Sequence, residues 1–123
     1  MLLKVRKSRT HGAVSIPGSK SHTIRALFIA SLAGGRSIIA NPLLSKDAFS
    51  AVDVCQSFGA RFENTEDSFI VNGFSAIPAV PENVVDVGNS GTSLRFAMMT
   101  AGLIDGITVF TGDDQIRRRP LAI

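Results

Sequence analysis

A chain of 123 residues is long enough for one compact domain with a real core, and 45% hydrophobic against 19% charged residues is the balance of a soluble globular protein. A single cysteine, Cys55, excludes an intramolecular disulfide and any multi-thiolate zinc site. The net charge of +3 is unevenly spread: Lys4, Arg6, Lys7, Arg9, Lys20 and Arg25 fall in the first quarter, and Arg117-Arg118-Arg119 come near the end. Such clustering points to anionic partners, either phosphorylated metabolites or nucleic acid.

Met1-Leu2-Leu3 runs straight into Lys4 and Arg6, leaving no apolar core for a secretory leader. The apolar run from Ala26 to Ala33 is broken by Ser31 and too short to span a bilayer. A cytoplasmic protein without membrane contact is expected. Leu2 to Arg6 alternates weakly as a short strand, and Ser8 to Gly12 is a polar hinge holding His11. Ala13 to Ile16 is the next strand, ended by Pro17-Gly18. Lys20 to Leu32 has helical periodicity, with Gly34-Gly35 as its C-cap and His22 facing solvent.

Ser37 to Ala40 is β-like, and Asn41-Pro42 breaks it. Ser45 caps a helix from Lys46 to Phe58 that buries Ala48, Ala51, Val52 and Cys55. Cys55 is thus a packing residue rather than a nucleophile. Arg61–Thr65 and Ser68–Val71 form a hairpin around Glu66-Asp67. After a loop bracketed by Pro78 and Pro81, Val84–Val87 is a strand, Ser90–Leu103 a helix and Ile107–Phe110 a strand. Thr111 to Asp114 is a turn, and Pro120 suits the first position of a further helix.

The stretch Pro17-Gly18-Ser19-Lys20-Ser21-His22-Thr23-Ile24-Arg25 sets a lysine, hydroxyls and free helix N–H groups at one turn, with an arginine one turn in. Free N–H groups at a helix start favour phosphate or carboxylate. The pattern recurs at an offset of 70 residues, with Gly18 on Gly88 and Arg25 on Arg95. The stripe Ile24, Leu27, Phe28, Ser31 falls on Leu94, Ala97, Met98, Ala101. A period this long marks a duplicated supersecondary unit. Residues 13–72 then spell βαβαββ, and residues 84–123 begin the same order again, as in part of a longer protein. Both helices are expected to aim their N-termini and an arginine at one site.

A P-loop does not fit. Five residues separate Gly12 from Gly18 where the template has four, and Ser19 intervenes before Lys20. The run Pro17-Gly18-Ser19-Lys20-Ser21…Arg25-Ala26-Leu27 instead resembles the first signature of the enolpyruvyl transferase family, in its branch acting on shikimate 3-phosphate. Gly88-Asn89-Ser90-Gly91-Thr92-Ser93-Leu94-Arg95 is similar to its second signature, and Gly112-Asp113…Arg117-Arg118-Arg119-Pro120 to its third. The resemblance implies an α/β fold of repeated βαβαββ units, here one complete unit and the start of a second. It places residues 1–12 with another domain and residues 13–123 in a partial N-terminal domain.

The implied reaction moves the enolpyruvyl group of phosphoenolpyruvate to the 5-hydroxyl of shikimate 3-phosphate and releases phosphate, through a tetrahedral intermediate. It uses no metal or cofactor, and the whole protein is expected to be a monomer. By resemblance Lys20 is catalytic and touches both substrates, while Ser21 and Arg25 hold shikimate 3-phosphate. Asn89 and Gly91 border phosphoenolpyruvate, where the inhibitor glyphosate would compete, and Arg119 binds its phosphate or carboxylate. Asp47, Thr92 and Arg95 are supporting positions. Lys46 stands where the family has an acid, Thr23-Ile24 where Ser-Asn is commoner, and Gln115 where some relatives have arginine.

The general acid and base are implied to lie in the second domain, so residues 1–123 alone are expected to be inactive. Two alternatives compete. The sister enzyme acting on UDP-N-acetylglucosamine commonly has a cysteine in the loop matching Thr111–Arg118 and an asparagine after the lysine, neither found here. A nucleic-acid-binding module would use the basic clusters, but the chain lacks interleaved aromatics and any reader motif.

Overall fold

The computed structural model describes residues 3–120. Each of its four helices starts on a side chain that accepts from a free amide of the first turn, the commonest stabilising device at a helix start. Helix α1 spans Lys20–Leu32 with Ser19 as cap, and α2 spans Lys46–Ser57 with Ser45. Helix α3 spans Gly91–Ala101 with Ser90, and α4 spans Asp114–Arg118 with Asp113. The strands are β1 Gly34–Ala40, β2 Arg61–Asn64, β3 Ser68–Phe74, β4 Val85–Asp86 and β5 Phe110–Thr111.

Two sheets result. In the first, β3 lies between β1 and β2 and is antiparallel to both, with Ile38 opposite Ile70 and Phe62 opposite Val71. The second is a parallel β4–β5 pair joined through α3, a short βαβ unit. The core gathers Ile24, Leu27 and Phe28 of α1, Ala51, Val54 and Cys55 of α2, Phe58, and Phe69 and Val71 of β3. Val85, Val87, Leu94 and Ala97 extend it into the second unit. Phe28 meets Phe96 at a ring separation of 5.4 Å, joining α1 to α3.

The α/β architecture expected from the repeat is present, with four corrections. Among the described residues, neither Leu3–Arg6 nor Ala13–Ile16 is a strand, and Leu2 lies outside the description. A strand needs a partner for its amides, and Leu3, Val5, Val14 and Ile16 are instead at least 80% exposed. The first unit is therefore αβαββ here. Gly34-Gly35 do not cap α1: Ala33 does, and the glycines open β1, where Gly35 takes φ +85°.

In α3 the buried set is Ser93, Leu94, Ala97 and Thr100, whereas Met98 is exposed. These four hold the places of buried Thr23, Ile24, Leu27 and Ala30 in α1, so the core face is the same but narrower, without the Met98 position. Finally, α4 (Asp114–Arg118) lies within the Thr111–Arg118 stretch expected as a turn and loop, and Pro120 follows its C-cap Arg119. Pro120 thus ends a helix, consistent with the restriction proline places on the residue before it. Any helix beyond it falls outside the described residues.

Candidate active site

Three close contacts bring the helix starts together. A Cβ on Gly18 would stand 2.7 Å from Asn41 O and 3.0 Å from Leu43 N, so the turn before α1 lies directly on the loop before α2. Buried Thr23 then accepts the Leu43 amide through Oγ1 at 2.9 Å. With the two helix starts clamped, Lys20 Nζ of α1 reaches Asp47 Oδ2 of α2 at 2.8 Å. Neither charge is deeply buried, so solvent moderates the attraction.

The second unit is clamped in the same manner. Gly88 takes φ +57°, where a side chain is strained, and donates its N–H to Asp86 Oδ1 at 2.8 Å. Gly88 O accepts from Asp113 N at 3.0 Å, and Gly112 packs so tightly on Gly88 O that no Cβ fits. This contact fixes α4 against the start of α3. Asp113 Oδ1 caps α4 by accepting from Gln115 N and Ile116 N, and Asp113 Oδ2 accepts from Asn89 Nδ2. The Ile116 amide, the Asn89 amide and, more weakly, the Gln115 amide and nearby Arg119 hold the Asp113 carboxyl below its ordinary range. Arg117 is engaged elsewhere, donating to Gly112 O at 2.6 Å and pairing with Asp114.

Between these helix starts lies a cleft of about 330 Å³. Lys20, Asp47, Asn89, Gly91, Arg95 and Arg119 all line it, with Thr92 on its wall. Three cations against one carboxylate leave the lining two charges positive. Among the described residues neither Arg95 nor Arg119 has a carboxylate within 4.0 Å. Ser93 N bonds to the Ser90 cap and Leu94 N to Ser90 O, which leaves the Gly91 and Thr92 amides of α3 without an acceptor among the described residues. Gly91 has a second role: a Cβ there would stand 2.9 Å from Arg119 Nη1, so its hydrogen makes room for the guanidinium.

Of the candidate residues, the structure brings together Lys20, Asp47, Asn89, Gly91, Thr92, Arg95 and Arg119. Ser21 and Arg25 are not in the cleft lining. Arg25 is exposed, donates to Ser21 O at 3.1 Å and borders an apolar groove with Phe28 and Phe96. The two arginines related by the 70-residue offset therefore do not share this cleft, and Arg119 supplies the second guanidinium. Sequence reasoning passed over Asp113 as a capping and orienting group. Its signal was an aspartate before Asp114 with Arg117 and Arg118 three and four residues on, a charge order that suits a helix. Among the described residues no group of three or more His, Cys, Asp or Glu is placed to hold a metal, and no helix is long and apolar enough to cross a membrane.

The free amides of α3, joined by cations from three separate elements at one cleft, define an α/β protein suited to small anions. A model of the EPSP synthase (3-phosphoshikimate 1-carboxyvinyltransferase) family matches residues 5–123. The 3-phosphoshikimate 1-carboxyvinyltransferase of Ruminiclostridium cellulolyticum is 63% identical over 98% of this chain, and that of Acetivibrio thermocellus is 64% identical over 98%. The chain spans about 29% of the length of either relative. EPSP synthase from Acinetobacter baumannii superposes with a TM-score of 0.76 at 25% identity, covering 89% of this chain and 26% of that one. The chain belongs to the EPSP synthase family.

Proposed function

We propose that this chain is the N-terminal part of an enzyme that transfers enolpyruvyl from phosphoenolpyruvate to the 5-hydroxyl of shikimate 3-phosphate, releasing phosphate, and that it supplies the anion-holding side of the site. The observation that carries the proposal is the meeting of Lys20, Arg95 and Arg119, from three separate elements, on one cleft with the N-terminus of α3. Both substrates carry a phosphate and a carboxylate, and holding them side by side demands cations fixed in advance. Lys20 is a compact charge that serves the reacting centre, with Asp47 holding its ammonium in place. Arg119 offers the planar fork that matches a phosphate or carboxylate. Gly91, Thr92 and Asn89 border phosphoenolpyruvate, and Arg95 adds field without an ion pair to dissipate it.

Ser21 and Arg25 are assigned to shikimate 3-phosphate from outside this cleft lining, and residues 1–12 to a second domain that also supplies the general acid and base. Such acid–base assistance is worth about 10²–10⁴ in rate. Residues 1–123 alone are then inactive. Under this reading the enzyme is a cytoplasmic monomer, needs no cofactor, and is inhibited by glyphosate at the phosphoenolpyruvate position.

The test is phosphate release by the full-length protein from the two substrates together. Activity dependent on shikimate 3-phosphate, lost in Lys20→Ala and Arg119→Ala, is expected. Equal activity with UDP-N-acetylglucosamine as acceptor, or wild-type rates in both variants, would overturn it.

A further inference from the structure

We propose that Asp113 is a positioning residue of the cleft, a single carboxylate that orients the Asn89 amide with one oxygen and seats Arg119 through α4 with the other. The inference rests on the function proposed above. Asp113 Oδ1 accepts from Gln115 N at 3.0 Å and from Ile116 N at 2.9 Å, which closes the first turn of α4. Helix α4 has only five residues, too few to hold itself together, so the cap decides whether it forms. Its far end is Arg119, whose N–H donates to Ile116 O at 3.1 Å and whose guanidinium lies over Gly91. One oxygen of Asp113 thereby seats a cation one helix length away.

The other oxygen acts on Asn89. An ionised carboxylate only accepts, so the Asn89 amide must face Asp113 Oδ2 with its nitrogen. The second N–H of that nitrogen goes to Gln115 Oε1 at 3.3 Å. Both hydrogens are used, and among the described residues no donor reaches Asn89 Oδ1. Asn89 therefore brings an acceptor to the cleft. An acceptor turns anionic oxygens away from itself and toward the Gly91 and Thr92 amides and Arg119. Asp113 in this way sets where the anion sits, without touching it.

Two variants of the full-length protein separate the two oxygens. Asparagine caps a helix about as well as aspartate, so Asp113→Asn keeps α4. It also puts an NH₂ where Oδ2 was, and Asn89 must turn its oxygen inward and its N–H groups outward. Asp113→Ala loses both functions. Asp113→Asn is expected to keep its melting temperature and its KM for phosphoenolpyruvate while kcat falls about tenfold, a split that reports a misplaced rather than a lost ligand. In an Asn89→Ala background the same substitution has no further effect.

Titration with inorganic phosphate reads the same geometry without turnover. Phosphate binds Asp113→Asn at least as tightly as wild type, through the new donor, and Asp113→Ala about tenfold more weakly, through the unseated Arg119. Wild-type kcat in Asp113→Asn, additivity with Asn89→Ala, or equal phosphate affinity in the two Asp113 variants overturns the proposal. A wild-type protein that binds phosphate in this pattern but transfers no enolpyruvyl instead removes the function and leaves Asp113 its role.

Discussion

Gly91 and Arg119, 28 residues apart in the chain, fit together so closely that a single methyl on Gly91 would stand 2.9 Å from Arg119 Nη1. The glycine is the first residue of α3 and the arginine caps the end of α4, so their contact is where the two helices meet over the cleft.

A methyl at that distance must move something, and the far end of an arginine moves easily. Gly91→Ala is therefore expected to fold normally, and alanine even improves the local helix preference. The displaced guanidinium loses its alignment with the anion. The KM for phosphoenolpyruvate should rise about tenfold, a loss of about 1.4 kcal/mol of binding, with a smaller change in kcat. Steady-state kinetics of the full-length protein check it; an unchanged KM means Arg119 does not meet that substrate.

Gly73 gives the opposite case. A Cβ there would run into the backbone carbonyl oxygens of Ala30, Ser31 and Ala33, where β3 passes beneath the end of α1. Backbone cannot swing aside as a side chain can. Gly73→Ala should destabilise the protein by about 3 kcal/mol or more, read as a lowered denaturant midpoint at unchanged slope.

Thr23 links sequence departure to site geometry. Its Oγ1 accepts the Leu43 amide, and that bond helps hold the start of α2, and with it Asp47, beside Lys20. Thr23→Val keeps the shape and leaves the amide unpaired, a cost of about 1–3 kcal/mol. Thr23→Ser keeps the acceptor and should recover most of the loss in a thermal melt.

Cys55 makes a pH prediction. Burial pushes its thiol up from 9.0 to about 12, with the neighbouring Ser31 side chain partly opposing the shift. The neutral thiol is favoured in the fold, so this contribution is intact below the unfolded value near 9.0 and is lost as pH rises from there toward 12. Stability should fall by up to about 1.4 kcal/mol per pH unit across that window, and Cys55→Ser or Cys55→Ala should flatten the slope. At neutral pH the native thiol should resist alkylation until the protein is denatured.

Much of the fold was legible because it is set by neighbours within one turn of chain. Ser19, Ser45 and Ser90 announce three helices through side chain to amide bonds spanning three residues. The 70-residue repeat was likewise visible as a recurrence of glycine turn, periodic stripe and arginine. Missing were effects that depend on a distant partner. Leu3–Arg6 and Ala13–Ile16 have strand character but no neighbouring strand among the described residues, and alternation alone cannot supply one. Arg25 and Arg95 hold equivalent places in the repeat, yet the packing of Phe28 on Phe96 leaves Arg25 beside an apolar groove and Arg95 on the cleft.

By itself the sequence determined the three longer helices and where they start, and that the same turn–helix module occurs twice; these follow from backbone capping and side-chain period, which act over a few residues. Only the tertiary structure decided which cations meet. Gly18 resting on Asn41 to Leu43, and Gly112 resting on Gly88, bring Lys20, Arg95 and Arg119 to one cleft, because close approach of two backbones is a property of the folded surfaces and not of either segment alone.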